Sequence, residues 1–375
     1  MRAIAINEFG GNDKLKLMNL PEPKPKAGEV LIQLKAASLN HLDIWVRKGL
    51  FKIPFPHILG ADGAGIIVEV GEGVNHLKVG EKVLISPGIG CGICQECASG
   101  RENFCKLYHI LGVQKDGTYA EYVVLPAQNV LPIPPNLDFE SAASVPLVFL
   151  TAWHALVTRG NIKPGMKVLI HAAGSGVGIA AIQIAKLFNA IVFTTAGSDT
   201  KLEKAKELGA DVLINYKQED FQERLKIETQ GEGIDLILDH VGFDTVMKGL
   251  KSLKKGGKLI TLGATSGSEV PIELRFVYGK NLSIEGIYMG SKAELMEVLK
   301  FFQNGKLKPV IHTVLPLEEA QEAHRILENR EAFGNFFHGR FFESKPCEDI
   351  FRYFNDFISR FFNVDHIEFL TNLFF

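Results

Sequence analysis

The sequence predicts an α/β chain in which an all-β, barrel-like region is followed by a doubly wound parallel sheet. Residues 1–130 read as short strands separated by turn signals, with little alternation of helices. From about residue 138 strand and helix alternate, the pattern of a parallel sheet covered on both faces. Within that alternation, an apolar strand runs into a glycine-rich turn and straight on into an apolar helix (VLIHAAGSGVG, residues 168–178). At 375 residues the chain is long enough for two such units with ample core.

In chain order, strands are expected over 3–6, 29–36, 65–70, 82–85 and 120–124, divided by Gly10-Gly11, by Pro21 and Pro23, by Gly71 and Gly73, and by Pro87-Gly88. Asp138 caps a helix that begins near Glu140 and carries Ala142, Val145, Val148 and Leu150. Strand 168–171 precedes helix 177–188. Strand 190–195 precedes helix 200–208, with Thr200 and Glu203 in capping-box spacing and Gly209 as its stop. Strand 212–215, a helix near 219–229, strand 236–239, a helix near 244–253, and strands 258–263 and 282–288 complete the series. Segments 292–304 and 317–329 form amphipathic helices, and 333–342 closes the fold as a strand. The sequence then changes character: 13 of the chain's 26 phenylalanines lie between 333 and 375, and Ile350, Phe354, Phe357, Ile358 and Phe361 fall at helical spacing. No role is assigned to this tail from 343 onward.

Composition narrows the function. With 46% hydrophobic and 22% charged residues and a net charge of -2, nothing draws the chain to nucleic acid or to an anionic membrane. No apolar run reaches membrane-spanning length, and MRAIAINEFGG lacks the apolar core of a signal peptide. Four of the five cysteines lie between 91 and 105, which suits a metal site in a reducing compartment, so the chain is read as cytoplasmic.

The glycine turn is the first chemical signal. Gly174, Gly176 and Gly178, interleaved with Ser175 and Val177, let the backbone turn sharply and approach a dinucleotide pyrophosphate at a helix N-terminus. The spacing is not a strict G-x-G-x-x-G, so an ordinary β–α turn stays open on this stretch alone. Cys91, Cys94, Cys97 and Cys105 are the second and stronger signal. Four thiolates close a tetrahedral zinc shell with no position left for water or substrate, so one structural zinc is expected. A redox C-x-x-C pair would not need the third and fourth cysteines; Cys347 lies outside the pattern.

These features together resemble the medium-chain dehydrogenase/reductase superfamily over residues 1 to about 342: the cysteine lobe, GADGAG at 60–65, the Thr151-Ala-Trp segment, the glycine turn, Asp239-His-Val-Gly242, and Gly256-Gly257 with Gly263. The resemblance implies a GroES-like β-barrel domain (1–140 and 289–342) interrupted by a Rossmann domain (141–288). It also implies a homodimer or homotetramer, with the Rossmann edge near 282–290 as the interface. The family's alcohol dehydrogenases hold a catalytic zinc by a cysteine, a Gly-His-Glu histidine and a second cysteine. Those positions here read Asn40, Ala61 and Leu147. A zinc site needs about three protein ligands, so the pattern looks like the quinone oxidoreductase branch. His41, Asp43, His57 and Asp62 are the groups from which a metal could otherwise be recruited.

The acid that binds the adenosine ribose in NAD-type members falls on Ala196, which leaves room for a 2′-phosphate. Ser198 offers a donor, Lys201 a positive charge, and Tyr216 stands where NADPH-using relatives often place a tyrosine. Asp199 is the objection, since turned inward it restores a preference for NADH. The reading is therefore NADPH rather than NADH, reducing a small-molecule quinone, enone or related carbonyl compound. Asn40 and Thr151 stand beside the nicotinamide, His41 and Asp43 serve orientation or proton delivery, and Gly263 lies on the cofactor. The rivals are a zinc alcohol dehydrogenase with non-standard ligands and a non-catalytic NADPH-binding redox sensor.

Overall fold

The computed structural model describes residues 1–339; the tail beyond 343, Cys347 and the end of the expected strand 333–342 lie outside the described residues. Strand Glu29–Leu39 is the hub of the barrel region. It pairs antiparallel with Asp62–Val70, where Ser38 faces Asp62, and with Tyr122–Pro126. At its carboxyl end it pairs with Asn335–Gly339, which in turn pairs in parallel with Ile311–Leu315. The last described strand thus returns to the sheet built by the first 130 residues. Val30, Ile32, Leu34 and Ala36 bury one face of the hub strand. Gly65 allows a close backbone approach: a Cβ there would lie 2.1 Å from the Gln33 carbonyl oxygen.

The second sheet has six parallel strands in the order Val212–Asn215, Ile191–Ala196, Lys167–Ile170, Ile234–Asp239, Leu253–Thr261, Ser283–Gly286. In chain order this is 3-2-1-4-5-6, the dinucleotide-binding arrangement, whose ligand crevice lies where the order reverses between first and fourth strands. Helix Gly176–Leu187 follows the first strand, with Ile179, Ile182 and Ile184 in the core.

Several elements differ from expectation for local reasons. The helix expected from Glu140 is two helices, Phe139–Ala143, capped by Asp138, and Pro146–Trp153. Pro146 takes the first position of the second helix, where its missing N–H costs no intrahelical bond. The helix expected at 200–208 runs Asp199–Glu207, so its N-cap is Ser198 and not Thr200. The strand expected at 258–263 starts at Leu253, and the residues between Leu253 and Lys258 form an irregularity in its register with Ile234–Asp239. Helices His41–Arg47 and Leu274–Gly279 and strand Ile311–Leu315 were not expected.

Helix His41–Arg47 is locked by its last residue. The fully buried Arg47 guanidinium donates to the Gly10 carbonyl (3.2 Å) and to Glu328 Oε2 (2.8 Å) and meets His324 Nδ1 (3.0 Å). One side chain thereby joins the barrel helix to Ala320–Glu328, the last described helix. Arg47→Ala removes this tie and leaves its partners without their donor. It should cost about 3 kcal/mol, read as a lower urea midpoint for loss of barrel structure.

Candidate functional site

The four cysteines converge. Cys94 is the N-cap of the short helix Gln95–Ala98, which contains Cys97, and Cys105 ends the turn Glu102–Phe104. All four sulfurs lie within 4.8 Å of one another, with Cys91 and Cys97 3.9 Å apart. Zn–S bonds of about 2.3 Å give a tetrahedral edge of about 3.8 Å, so the set fits zinc. Gly90 leaves the necessary room, since a Cβ there would stand 2.7 Å from Cys97 Sγ. Backbone N–H groups of Ile93 and Cys94 bring the Cys91 thiol down to about 6, toward the thiolate that a metal binds. All four ligands come from the protein, which makes the site structural. Among the described residues it is the one group of three or more His, Cys, Asp or Glu side chains whose ligating atoms meet.

A cleft of about 750 Å³ runs from the glycine turn to Asn40 and Thr151. Ser175 is the N-cap of helix Gly176–Leu187, its Oγ accepting from Gly178 N at 2.9 Å. Gly174, Ser175, Gly176 and Val177 line the cleft, and their N–H groups stand where a pyrophosphate is bound at a helix N-terminus. Gly178 lies behind them: a Cβ there would come within 2.4 Å of the Ala172 carbonyl oxygen. Gly263, just past the fifth strand, lines the same cleft.

At one end of the cleft the second strand finishes in Ala196 and Gly197, with Lys201, Tyr216, Lys217 and Arg330 in the lining. Burial lowers the Lys201 pKa, and the charges of Arg330, Lys217 and Lys204 lower it further. None of these four cations has a carboxylate within 4.0 Å among the described residues, so the cluster lacks an anion there. Asp199 is not in the cleft lining; its two oxygens accept from Asn215 Nδ2 (2.6 Å) and from Nε2 of the lining residue Gln218 (3.1 Å). Ser198 does not line the cleft either.

At the other end, Asn40, His41 and Thr151 line the cleft. Asn40 precedes helix His41–Arg47, and its Nδ2 donates to Asp62 Oδ2 at 2.9 Å. Asp43 is not in the lining. It is fully buried behind Asn40, accepting from Asn40 N (2.8 Å) and Tyr119 Oη (3.2 Å), and burial pushes its carboxyl up to about 7. His41 packs edge-on to Trp45; burial, then Lys48 and Arg330, lower its pKa and favour the neutral ring. His57 is turned to the Gly112 carbonyl at 3.1 Å. His41, Asp43, His57 and Asp62 therefore do not come together as a ligand set.

Two cleft residues escaped the sequence reading. His240 Nε2 contacts Ser175 Oγ at 3.2 Å, and burial brings the imidazole down to about 4, keeping it neutral. His171, at the end of the first strand, bonds Thr195 Oγ1 at 3.0 Å. Both stand at carboxyl ends of parallel strands, a position that marks ligand-facing residues in such sheets.

With this geometry in place, comparison with known proteins is informative. The family model of zinc-binding dehydrogenases matches residues 176–304, and that of the alcohol dehydrogenase GroES-like domain matches 26–135. An alcohol dehydrogenase of Geobacillus stearothermophilus is 35% identical over 328 residues, covering 86% of this chain and 94% of its own. A crystal structure of an NAD-dependent alcohol dehydrogenase superposes with a TM-score of 0.87 at 48% identity, over 90% of this chain and 99% of the other. The Escherichia coli quinone oxidoreductase complexed with NADPH superposes with a TM-score of 0.78 at 30% identity, over 90% of this chain and 99% of the other.

Metal analysis should find one zinc per chain, and Cys94→Ser should lose it and lower the thermal midpoint; two zinc ions per chain would favour a metal in the cleft as well. Asp43 predicts a pH dependence. The folded chain holds its proton up to about pH 7, whereas its ordinary value is 3.8. Folding therefore takes up a proton between those values, and stability falls as pH rises through the window, by on the order of 4 kcal/mol from this group. Urea midpoints measured from pH 5 to 7.5 should decline, and less steeply in Asp43→Asn.

Proposed function

The chain belongs to the medium-chain dehydrogenase/reductase superfamily and is an NAD(P)-dependent oxidoreductase; from that premise we propose that it reduces an enone, quinone or related carbonyl compound with NADPH and without a catalytic zinc. The observation that carries this is the set of side chains around Asn40. Where the family's alcohol dehydrogenases place three zinc ligands, this chain has an amide, a methyl and an isobutyl group, from Asn40, Ala61 and Leu147. The nearby Asp62 carboxylate is already committed to Asn40 Nδ2 and Leu147 N. This donor set does not fit a zinc ion, and no step is derived through one.

Bound in the cleft, the nicotinamide supplies the hydride, and the protein supplies position and electrostatics. The glycine-turn N–H groups hold the pyrophosphate. Lys201, with Arg330 and Lys217, meets a 2′-phosphate, and Ala196 and Gly197 leave room for it. Tyr216 packs over Gly197, its hydroxyl 2.6 Å from where a Cβ would be, and gives the adenosine a flank. At the reacting end, hydride addition to an enone or quinone puts negative charge on oxygen. The Asn40 amide N–H and the Thr151 hydroxyl are the donors that meet it there. His41 lines the cleft beside these donors; its imidazolium form, which burial disfavours, would be the one that gives a proton to the product oxygen. Asp43, away from the lining, orients Asn40 rather than touching substrate. The edge strand Ser283–Gly286, paired on one side only among the described residues, is the surface for a homodimer or homotetramer. The thiolate zinc site accords with a cytoplasmic setting.

The zinc-dependent rival needs ligands from His41, Asp43, His57 and Asp62, whose ligating atoms do not converge. The sensor reading is separated by assay: NADPH oxidation against quinones, alkenals and simple carbonyls should be detectable for the enzyme and absent for a sensor. NADPH should be preferred over NADH. Lys201→Glu should lower kcat/KM for NADPH about thirtyfold, the equivalent of about 2 kcal/mol for a charge-assisted hydrogen bond, and leave NADH within a few fold. An NADH preference in the wild type would overturn the cofactor assignment.

A further inference from the structure

The mechanism above leaves one buried charge unused. Asp62 is 0% exposed and is not part of the cleft lining, yet it binds both walls of the reacting end. Its Oδ2 accepts from Asn40 Nδ2 at 2.9 Å, and its Oδ1 accepts from the Leu147 backbone N at 3.1 Å. Leu147 lies in the first turn of helix Pro146–Trp153, and Thr151 stands one turn further along it. The strand that carries Asp62 is fixed in turn: Ser38 is its neighbour in register, and Thr118 Oγ1 donates to the Asp62 carbonyl at 2.8 Å. A single carboxylate thus joins Asn40, 22 residues away in sequence, to the start of the Thr151 helix, 85 residues away.

We propose that Asp62 is a positioning residue of the hydride-transfer site, whose carboxylate fixes the amide of Asn40 and the start of the Thr151 helix so that both donors face the reacting oxygen. The proposal rests on the reductase reading given above. A primary amide has two N–H donors and one acceptor, with two ends of nearly equal size. With one N–H held by Asp62, the second is the donor left for the substrate. Without Asp62 the amide keeps only its capping contact with the Asp43 backbone N–H, and an amide turned over presents Oδ1 to a developing negative charge, which repels it.

The surroundings make this carboxylate costly. Asp43 faces it from helix His41–Arg47, Tyr119 lies beyond Asp43, and no lysine, arginine or histidine pairs with it among the described residues. Burial, and then the Asp43 charge, hold its carboxyl well above the usual range. An apolar group of the same size would be the more stable choice for this position. Both oxygens receive N–H donors, so the site is built for the ionised form. A proton on either oxygen competes with one of those bonds.

The test is a double-mutant cycle in the full-length, zinc-loaded chain, with NADPH and the best substrate of the panel. Asp62→Asn should fold, bind NADPH within about twofold of wild type, and lose kcat on the order of 10²-fold with little change in substrate KM. In the Asn40→Ala background the same change should have little further effect, because an amide oxygen at position 62 still accepts from Leu147 N and only the bond to Asn40 is lost. The wild-type kcat should decline toward acid as Asp62 takes up its proton, and that limb should be missing from Asp62→Asn. Additive losses, or an Asp62→Asn kcat within threefold of wild type, would overturn the proposal and leave the reductase reading standing. A wild type silent on the whole panel overturns both. If Asp62→Asn does not fold, Asn40→Asp reads the same bond from its other end. It sets acceptor against acceptor and leaves no second donor for the substrate, so its kcat should be low at pH 8 and stay low as pH falls, while its thermal midpoint should rise as one shared proton restores the bridge. Wild-type activity for Asn40→Asp across that range would also overturn the proposal.

Discussion

Two carboxylates with no access to water, Asp43 and Asp62, are the constraint around which the reacting end is arranged. A buried carboxylate persists only where its oxygens accept hydrogen bonds. Asp43 takes the Asn40 N–H and the Tyr119 hydroxyl, both on Oδ2, and keeps its proton up to about pH 7; Asp62 takes the Asn40 amide on one oxygen and the Leu147 N–H on the other. Asn40 is therefore gripped from both sides, at backbone and side chain. The helix that begins there and the helix that begins at Pro146 are aligned by the same pair of acids. The polar end of the cleft owes its geometry to groups that never touch its interior.

The other end follows the opposite logic. Lys201, Lys204, Lys217 and Arg330 lie near one another with no carboxylate within 4.0 Å among the described residues; Lys201 Nζ donates to the Arg330 carbonyl, and burial, then the neighbouring charges, lower its pKa. The cleft carries a neutral end, where imidazoles are kept uncharged by burial, and a cationic end. That polarity sets the direction in which a phosphate-bearing ligand lies.

Features encoded within a few residues were legible in the sequence. The four zinc ligands fall within a 15-residue stretch, and the glycine turn needs only its own strand and helix; both stand where they were read. The parallel sheet followed from alternation alone. The direction of Asp199 was not legible, because it depends on Asn215 and Gln218, which only the third strand brings alongside. Asp62 could be named but not understood, since its partner at Leu147 is 85 residues away. Helix His41–Arg47 was hidden because its short apolar pattern continues that of the preceding strand. The strand Ile311–Leu315 alternates half-buried and exposed residues and carries too little apolar signal to stand out.

The pairing of Glu29–Leu39 with Asn335–Gly339 has a consequence for biosynthesis. A ribosome delivers the hub strand early and its neighbour some 300 residues later. The parallel sheet of residues 167–286 is complete once those residues have emerged, while the carboxyl end of one flank of the hub strand, Ala36–Leu39, stays unpaired until Asn335–Gly339 follows. Open strand flanks invite association with other chains. The newborn chain is thus exposed longest at its barrel, and the order of synthesis finishes the parallel sheet before the barrel.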